Sequence, residues 1–262
     1  MKVSVITINL NDRIGLFKTI KSVINQSFSD FEFILIDGGS NDGSRELMLE
    51  YENYFSYWIS EPDNGIYQAM NKGILKAKGE YCFFLNSGDY FVDGNVLEKI
   101  FTKAPEADIL YGNLLVVSED NIIVSIKGKE KLTFLDVYSS KIKHQASFIR
   151  RRLFEQYGLF DESLIIAADW AFFIKTLGLS DVSYVYRDVN VAFFDNNGIS
   201  NRCPEICRNE EEKILNHFVP KKMQEDYRLL KKFNGIREIN DSRIYYFIFR
   251  ILVKISRFLR CN

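Results

Sequence analysis

Short apolar runs alternate with amphipathic, helix-length segments through the first hundred positions of the chain. Val3–Ile8 is almost continuously apolar, as in a strand covered on both faces. Apolar residues at 16, 17, 20, 23 and 24 give Leu16–Ile24 a helical spacing. Phe31–Ile36 predicts a second strand, and Arg45–Tyr54 a helix with Ser44 or Asn41 as its cap. Tyr57–Ser60 follows as a short strand, Ile66–Lys78 as a helix stopped by Gly79, Tyr81–Leu85 as a strand and Val96–Phe101 as a helix. Such a βαβαβαβ succession predicts an α/β fold with a doubly wound, mostly parallel sheet and helices on both faces. The second half is less regular. Ile109–Val117, Ile122–Ile126 and Val182–Phe194 read as strands; Leu153–Tyr157, Trp170–Leu177, Glu205–Phe218 and Lys221–Phe233 read as helices. With no repeat and no evident linker, the pattern predicts one domain over residues 1–220 and a helical extension over 221–262.

Composition narrows the class. Hydrophobic residues make up 47% of the 262, and 22 Phe with 14 Tyr supply a large core, against long disorder. The 34 basic and 35 acidic side chains nearly cancel, which argues against a general nucleic-acid binder. The balance is uneven along the chain. Positions 220–262 hold 11 Lys and Arg against 4 Asp and Glu, a net of +7 in a chain whose total is −1, so the remainder carries about −8. Within this tail, RIYYFIFRILVKISRFLR places Arg243, Arg250, Lys254 and Arg257 within about 60° of one another on a helix. That pattern predicts an amphipathic helix at a membrane interface, with docking on the protein's own core as the alternative. No run of 18 apolar residues predicts a spanning helix, and MKVSVITINLND lacks the apolar centre of a signal peptide. The four cysteines form no disulfide framework or paired zinc motif. The expectation is a cytoplasmic protein, peripheral at the inner face of the cell membrane.

Chemistry gathers where such folds place it, beyond the carboxyl ends of the strands. Strand one ends at Thr7-Ile8-Asn9, strand two at Asp37, strand three at Glu61-Pro62-Asp63-Asn64-Gly65, and strand four at Asn86-Ser87-Gly88-Asp89. Singly, each has a plainer explanation as turn or cap chemistry. Together they predict an acidic rim suited to base or ribose hydroxyls and to a hard divalent cation, Mn²⁺ or Mg²⁺, shared with substrate phosphates. The chain has no GxxxxGK[ST] loop and no GxGxxG after strand one, which disfavours P-loop and nicotinamide chemistry.

The run VSVITINLNDRIGLFKTIKSVINQSFSDFEFILIDGGSNDGS resembles the opening of family-two glycosyltransferases of the GT-A fold. The likeness continues through EPDNGIYQAMNKGILKAKGEYCFFLNSGDYF, HQASFIRR and AADWAFF, over roughly residues 1–200. It implies a nucleotide-sugar half over about 1–115 and an acceptor half over about 116–220. Thr7 and Asn9 then contact the nucleotide, Asp37 the base, often uracil, and Asp63 and Lys72 line the nucleotide and diphosphate. Asp89, the last position of NSGD, takes the metal; Asn86 and Gly88 depart from the family's Asp-X-Asp pattern. Asp169 stands at the place of the catalytic base.

A sugar hydroxyl needs a positioned base. Asp169, ahead of aromatic Trp170–Phe173, is expected to have a pKa raised by desolvation, although its position also suits a helix cap. A cation at Asp89 would stabilise the leaving diphosphate. One base and one metal imply in-line displacement with inversion. His144 reads as an acceptor or diphosphate contact, a metal ligand or a satisfied loop residue; Trp170 reads as a sugar platform or core. The expected partners are a uridine-linked sugar donor and a saccharide or lipid-linked acceptor, in a setting of surface-polysaccharide assembly. Nucleotidyl transfer and a non-catalytic binding module at a membrane are the rivals.

Overall fold

A computed structural model of the chain describes residues 1–102, 107–117, 122–139, 142–195 and 203–230. It forms two compact units, residues 1–212 and 213–262. In the first unit, β1 (Val3–Asn9), β2 (Phe31–Asp37), β3 (Tyr57–Ser60) and β4 (Tyr81–Phe84) are the predicted strands. They pair in parallel in the order β3-β2-β1-β4. Each is followed by its helix: α1 (Arg13–Ile24), α2 (Ser44–Glu50), α3 (Ile66–Lys76) and α4 (Val96–Phe101). Leu16, Ile20 and Val23 of α1 cluster with Val3, Val5, Phe33 and Leu35 on one face. On the other face Gly73 of α3 lies so close to β1 that a Cβ there would fall 2.4 Å from Ile6 Cγ2. Both faces are covered, so these strands are apolar along their length rather than alternating.

Beyond β4 the sheet is mixed. The described strands continue β4-β8-β6-β9-β5, where β5 is Tyr90–Phe91, β6 Ile109–Val117, β8 Ser147–Arg150 and β9 Tyr184–Asp195; β7 (Ile123–Ile126) pairs with β6. β8 runs antiparallel to both β4 and β6, whereas β6 and β9 are parallel. Parallel pairing thus holds for the first half and is broken by β8, a four-residue strand whose SFIR sequence carries no alternation strong enough to announce it. Three short helices follow: α5 (Phe134–Tyr138), α6 (Arg152–Tyr157) and α7 (Ala168–Phe173), which runs into a π turn, Ile174–Gly178. The expected cap of α2 differs: its N-cap is Gly43 at φ 90°, and Asp42 accepts from the Ser44 hydroxyl instead. α8 (Pro204–Phe218) begins in the first unit, and the second is helical again over 221–230. The basic amphipathic segment 243–260 lies outside the described residues.

Candidate active site

The carboxyl ends of β1 and β4 open on a cavity of about 760 Å³, large enough for a nucleotide sugar. Its floor and rim come from the segments that end those strands, Ile8–Asp12 and Asn86–Asp89, and from Asp63 and the first turns of α3. The remaining wall is His144, Gln145, Ile165, Ile166 and Phe194. The β1 and β4 loops meet closely. Asp12 caps α1 by accepting from Gly15 N at 3.0 Å, and Ser87 Oγ donates to Asp12 Oδ2 at 3.2 Å. A Cβ on Gly15 would sit 1.9 Å from Asp12 Oδ2 and 2.8 Å from Gly88 Cα, so this rim requires glycine there. Gly65, at φ 126°, turns the chain into α3, and its N–H donates to Asp63 Oδ1 at 3.0 Å.

Of the expected nucleotide residues, Asn9 and Asp63 line the cavity, and Thr7, Asp37 and Lys72 stand outside its lining. Thr7 is fully buried and its hydroxyl donates to Leu85 O at 2.7 Å, which ties β1 to β4. Lys72 pairs with Glu61 at 2.7 Å. Asp37 is fully buried and accepts five hydrogen bonds, from Asn9 Nδ2, Gly39 N, Ser40 N, Ser40 Oγ and Ser60 Oγ. Burial pushes its pKa up, but the bonds from Ser40, Ser60 and Asn9 outweigh burial and hold it below the ordinary value. Asp37 is thus a carboxylate saturated by its own loop and by the ends of β1 and β3. It reaches the cavity through Asn9, whose amide it orients.

Asp89 is nearly buried in the cavity wall, its carbonyl accepting from Thr19 Oγ1 at 2.6 Å. Among the described residues, no cluster of three or more His, Cys, Asp and Glu side chains could hold a metal. A closed protein cage is therefore not the fit. The Asp89 carboxylate with the buried, unpartnered Asn86 Oδ1 on the same wall suits a hard cation completed by substrate phosphates and water.

At the other wall, the Asp169 carboxylate is held from two sides. His144 Nδ1 lies 2.6 Å from Oδ2, and Tyr67 donates to Oδ1 at 3.0 Å and to Ile166 O at 2.5 Å. Asp169 itself is not among the lining residues; Tyr67 and His144 are. Its pKa runs opposite to the expected direction. Burial pushes it up, but His144 first, then Lys143 and the Tyr67 hydroxyl, hold it below the usual carboxylate value. Nor is Asp169 the helix cap: Ala167 occupies that position, and the neighbouring amides of Ile165, Ile166 and Ala167 all donate to Glu210, at 2.6, 2.9 and 3.0 Å. Trp170 is core, not platform. It is buried, and Nε1 donates to Val137 O at 2.8 Å.

Sequence reading missed Asp12, Tyr67, Gln145 and Glu210. Tyr67 and Gln145 sit within the quoted runs NGIYQAM and HQASF and were legible there. Glu210 lies 43 to 45 residues from the amides it binds, with no local signal.

Comparisons with known proteins agree with this geometry. The family model for glycosyl transferase family 2 matches residues 4–158, and the chain belongs to that family. It is 37% identical over 181 residues to an uncharacterized glycosyltransferase of Mycobacterium tuberculosis, covering 66% of this chain and 68% of that one. It is 30% identical over 209 residues to a PGL/p-HBAD biosynthesis glycosyltransferase of Mycobacterium bovis, covering 76% and 78%. The crystal structure of S. aureus TarS 1-349 in complex with UDP-GlcNAc superposes with a TM-score of 0.65 at 18% identity, covering 86% of this chain and 70% of that one. The fold is GT-A-like and the protein is a glycosyltransferase, which sets aside nucleotidyl transfer and the non-catalytic module.

Proposed function

We propose that this protein moves a sugar from a uridine-diphosphate donor to a hydroxyl of a saccharide or lipid-linked acceptor, with inversion at the anomeric carbon. One observation carries the reading. Asn9 Oδ1, Asn86 Oδ1, His144 Nε2 and Gln145 Oε1 are buried polar atoms without a hydrogen-bond partner among the described residues, and all four residues line the cavity described above. Each such atom costs stability unless a bound molecule satisfies it. Their types, amide oxygens at the nucleotide end and an imidazole nitrogen with an amide oxygen at the other, suit a polar ligand that spans the cavity. Support from likeness comes from TarS, solved with UDP-GlcNAc, and from the mycobacterial relative named for PGL/p-HBAD biosynthesis.

The nucleotide half, about 1–115, binds the donor. Asn9, fixed by Asp37, presents its amide oxygen to the base, and Asp63 lines the same end. Asp89 and Asn86 would hold Mn²⁺ or Mg²⁺, which neutralises charge developing on the leaving diphosphate. The acceptor half, about 116–220, supplies Asp169 as the general base for the acceptor hydroxyl. An acceptor in a lipid bilayer gives the basic tail its role, that of holding the protein at the inner membrane face. Among the described residues, no helix is long and apolar enough to cross a membrane.

The test is release of UDP from UDP-glucose, UDP-galactose and UDP-N-acetylglucosamine, with Mn²⁺ or Mg²⁺ and then with chelator. Turnover with one donor, abolished by chelator and by Asp89→Asn, is the expected result. Absence of both UDP binding and turnover sinks the reading.

A further inference from the structure

Helix α1 buries one face, and its opposite face is not polar throughout. Leu16, Thr19, Ile20 and Val23 are buried, three of them in the core cluster against β1 and β2. At 100° per residue, Ile14, Phe17, Lys18 and Lys21 share an arc of about 100° on the far side. Charged and polar side chains are the rule there. Yet Ile14 is 73% exposed, more than any other large apolar side chain among the described residues, and Phe17 is 44% exposed. Phe17 meets Tyr51 edge-on at 6.3 Å between ring centroids, and Lys21 Nζ stands 5.9 Å over the same Tyr51 ring.

The charge of this ridge is one-sided. Helix α1 carries Arg13, Lys18 and Lys21 and no Asp or Glu. Among the described residues, Lys18 and Lys21 join no ion pair. Glu46 and Glu50 stand with Arg45 on α2, which packs beside α1, so the positive excess belongs to the ridge and not to the whole face. Exposed apolar side chains set among lysines are the composition of a helix that lies in a bilayer interface, apolar atoms below the head groups and cations among their phosphates. A second copy of the chain is a poorer occupant. Two-fold pairing on this ridge would bring its lysines toward those of the other copy. The ridge is also continuous with the cavity rim, because Leu10, 59% exposed, lines the cavity with Asn11 and Asp12 and leads straight into α1.

We propose that the outer ridge of α1, formed by Ile14, Phe17, Lys18 and Lys21, is a docking surface for a lipid bilayer with anionic head groups. Ile14 and Phe17 enter the head-group layer, and Lys18 and Lys21 face the lipid phosphates. A bilayer so docked lies beside the rim of the cavity, on the side of Leu10–Asp12. The contact is separate from the basic tail and holds whether or not the transfer reading does.

Vesicle sedimentation with the full chain tests it. The probes are vesicles of phosphatidylcholine alone and of an equimolar mixture with phosphatidylglycerol. The variants are Ile14→Ser with Phe17→Ser, and Lys18→Gln with Lys21→Gln. Partition onto the mixed vesicles is expected to fall about tenfold or more in the first pair and about tenfold in the second, whose deficit shrinks at high salt. Melting temperature and UDP affinity are expected to stay with the unmodified protein, since all four side chains point away from the core. The tail is the same in every variant and moves none of these differences. If the serine pair does not melt cooperatively, the glutamine pair and Phe17→Trp decide. The added tryptophan fluorescence of Phe17→Trp, measured against the unmodified protein, is expected to shift blue on mixed vesicles and to be quenched by lipid brominated in its acyl chains. Partition of the folded variants within threefold of the unmodified protein overturns the proposal, as does an unquenched tryptophan at position 17 or equal binding to phosphatidylcholine alone. A dimer in sedimentation velocity that the serine pair abolishes, with vesicle binding unchanged, overturns it in favour of a second copy.

Discussion

Asn9 Nδ2 donates to Asp37 Oδ1 at 2.7 Å, and the two residues are the last register pair of β1 and β2. The bond fixes which end of the Asn9 amide turns toward the cavity. Asp37→Asn would set an amide against the N–H groups of Gly39 and Ser40 and remove the reason for that orientation. The expected outcome is a loss of about 3 kcal/mol in unfolding free energy and weaker UDP binding. Denaturant melts and calorimetric titration check the two effects separately.

The same carboxylate makes the fold acid-sensitive. Asp37 and Asp169 are both held below their ordinary values in the folded protein. A depressed folded pKa contributes stability that is present above the unfolded value, near 3.9, and is lost as the pH falls through the folded one. The steep decline in melting temperature is therefore expected below about pH 4, and it should be shallower in Asp37→Asn. A melting series from pH 7 to pH 3 checks this.

Trp170→Phe is expected to cost about 1–3 kcal/mol, because it leaves Val137 O without its donor. Since the ring is core, UDP affinity and turnover should stay within about threefold of the unmodified protein once the variant is folded. A selective loss of acceptor use, seen as a raised KM for the acceptor alone, would return Trp170 to the site.

Glu210→Gln replaces an acceptor of three backbone N–H bonds with a group that is half donor. A loss of about 1–3 kcal/mol is expected. So is a fall in kcat larger than any change in UDP affinity, because the residues it holds lead directly into Asp169. Thermal melts and steady-state kinetics on the same preparation check both.

The parallel half of the fold was legible because its physics is local. Apolar runs, helix-spaced stripes and polar strand ends each lie within ten or twelve residues, and Val3–Asn9, Phe31–Asp37 and Ile66–Lys76 match their predicted extents closely. Tyr90–Phe91 escaped notice because a strand of two residues owes its state to its partner, and Ser147–Arg150 because SFIR carries no pattern that marks it as a strand. Within the site, residue types were readable and bonding was not. Asp37 and Thr7 are at the predicted strand ends, but whether a carboxylate faces a ligand or its own loop depends on Ser40 and Ser60 in space. The pKa of Asp169 went the other way for the same reason. Aromatic neighbours in sequence suggested desolvation, whereas His144, 25 residues away, supplies the stronger opposing effect.

The clamp from Glu210 also sets an order of assembly. The amides it binds precede it by 43 to 45 residues, and β1 to β4 precede both. A chain emerging from the ribosome can pair those strands and close the Asn9–Asp37 corner early. The Ile165–Ala167 turn stays unfastened until α8 is outside the exit tunnel. The wall built on β1 and β4 would be ready before the opposite one, and a nascent chain halted short of position 210 would have β1 to β4 paired and a slack opposite wall.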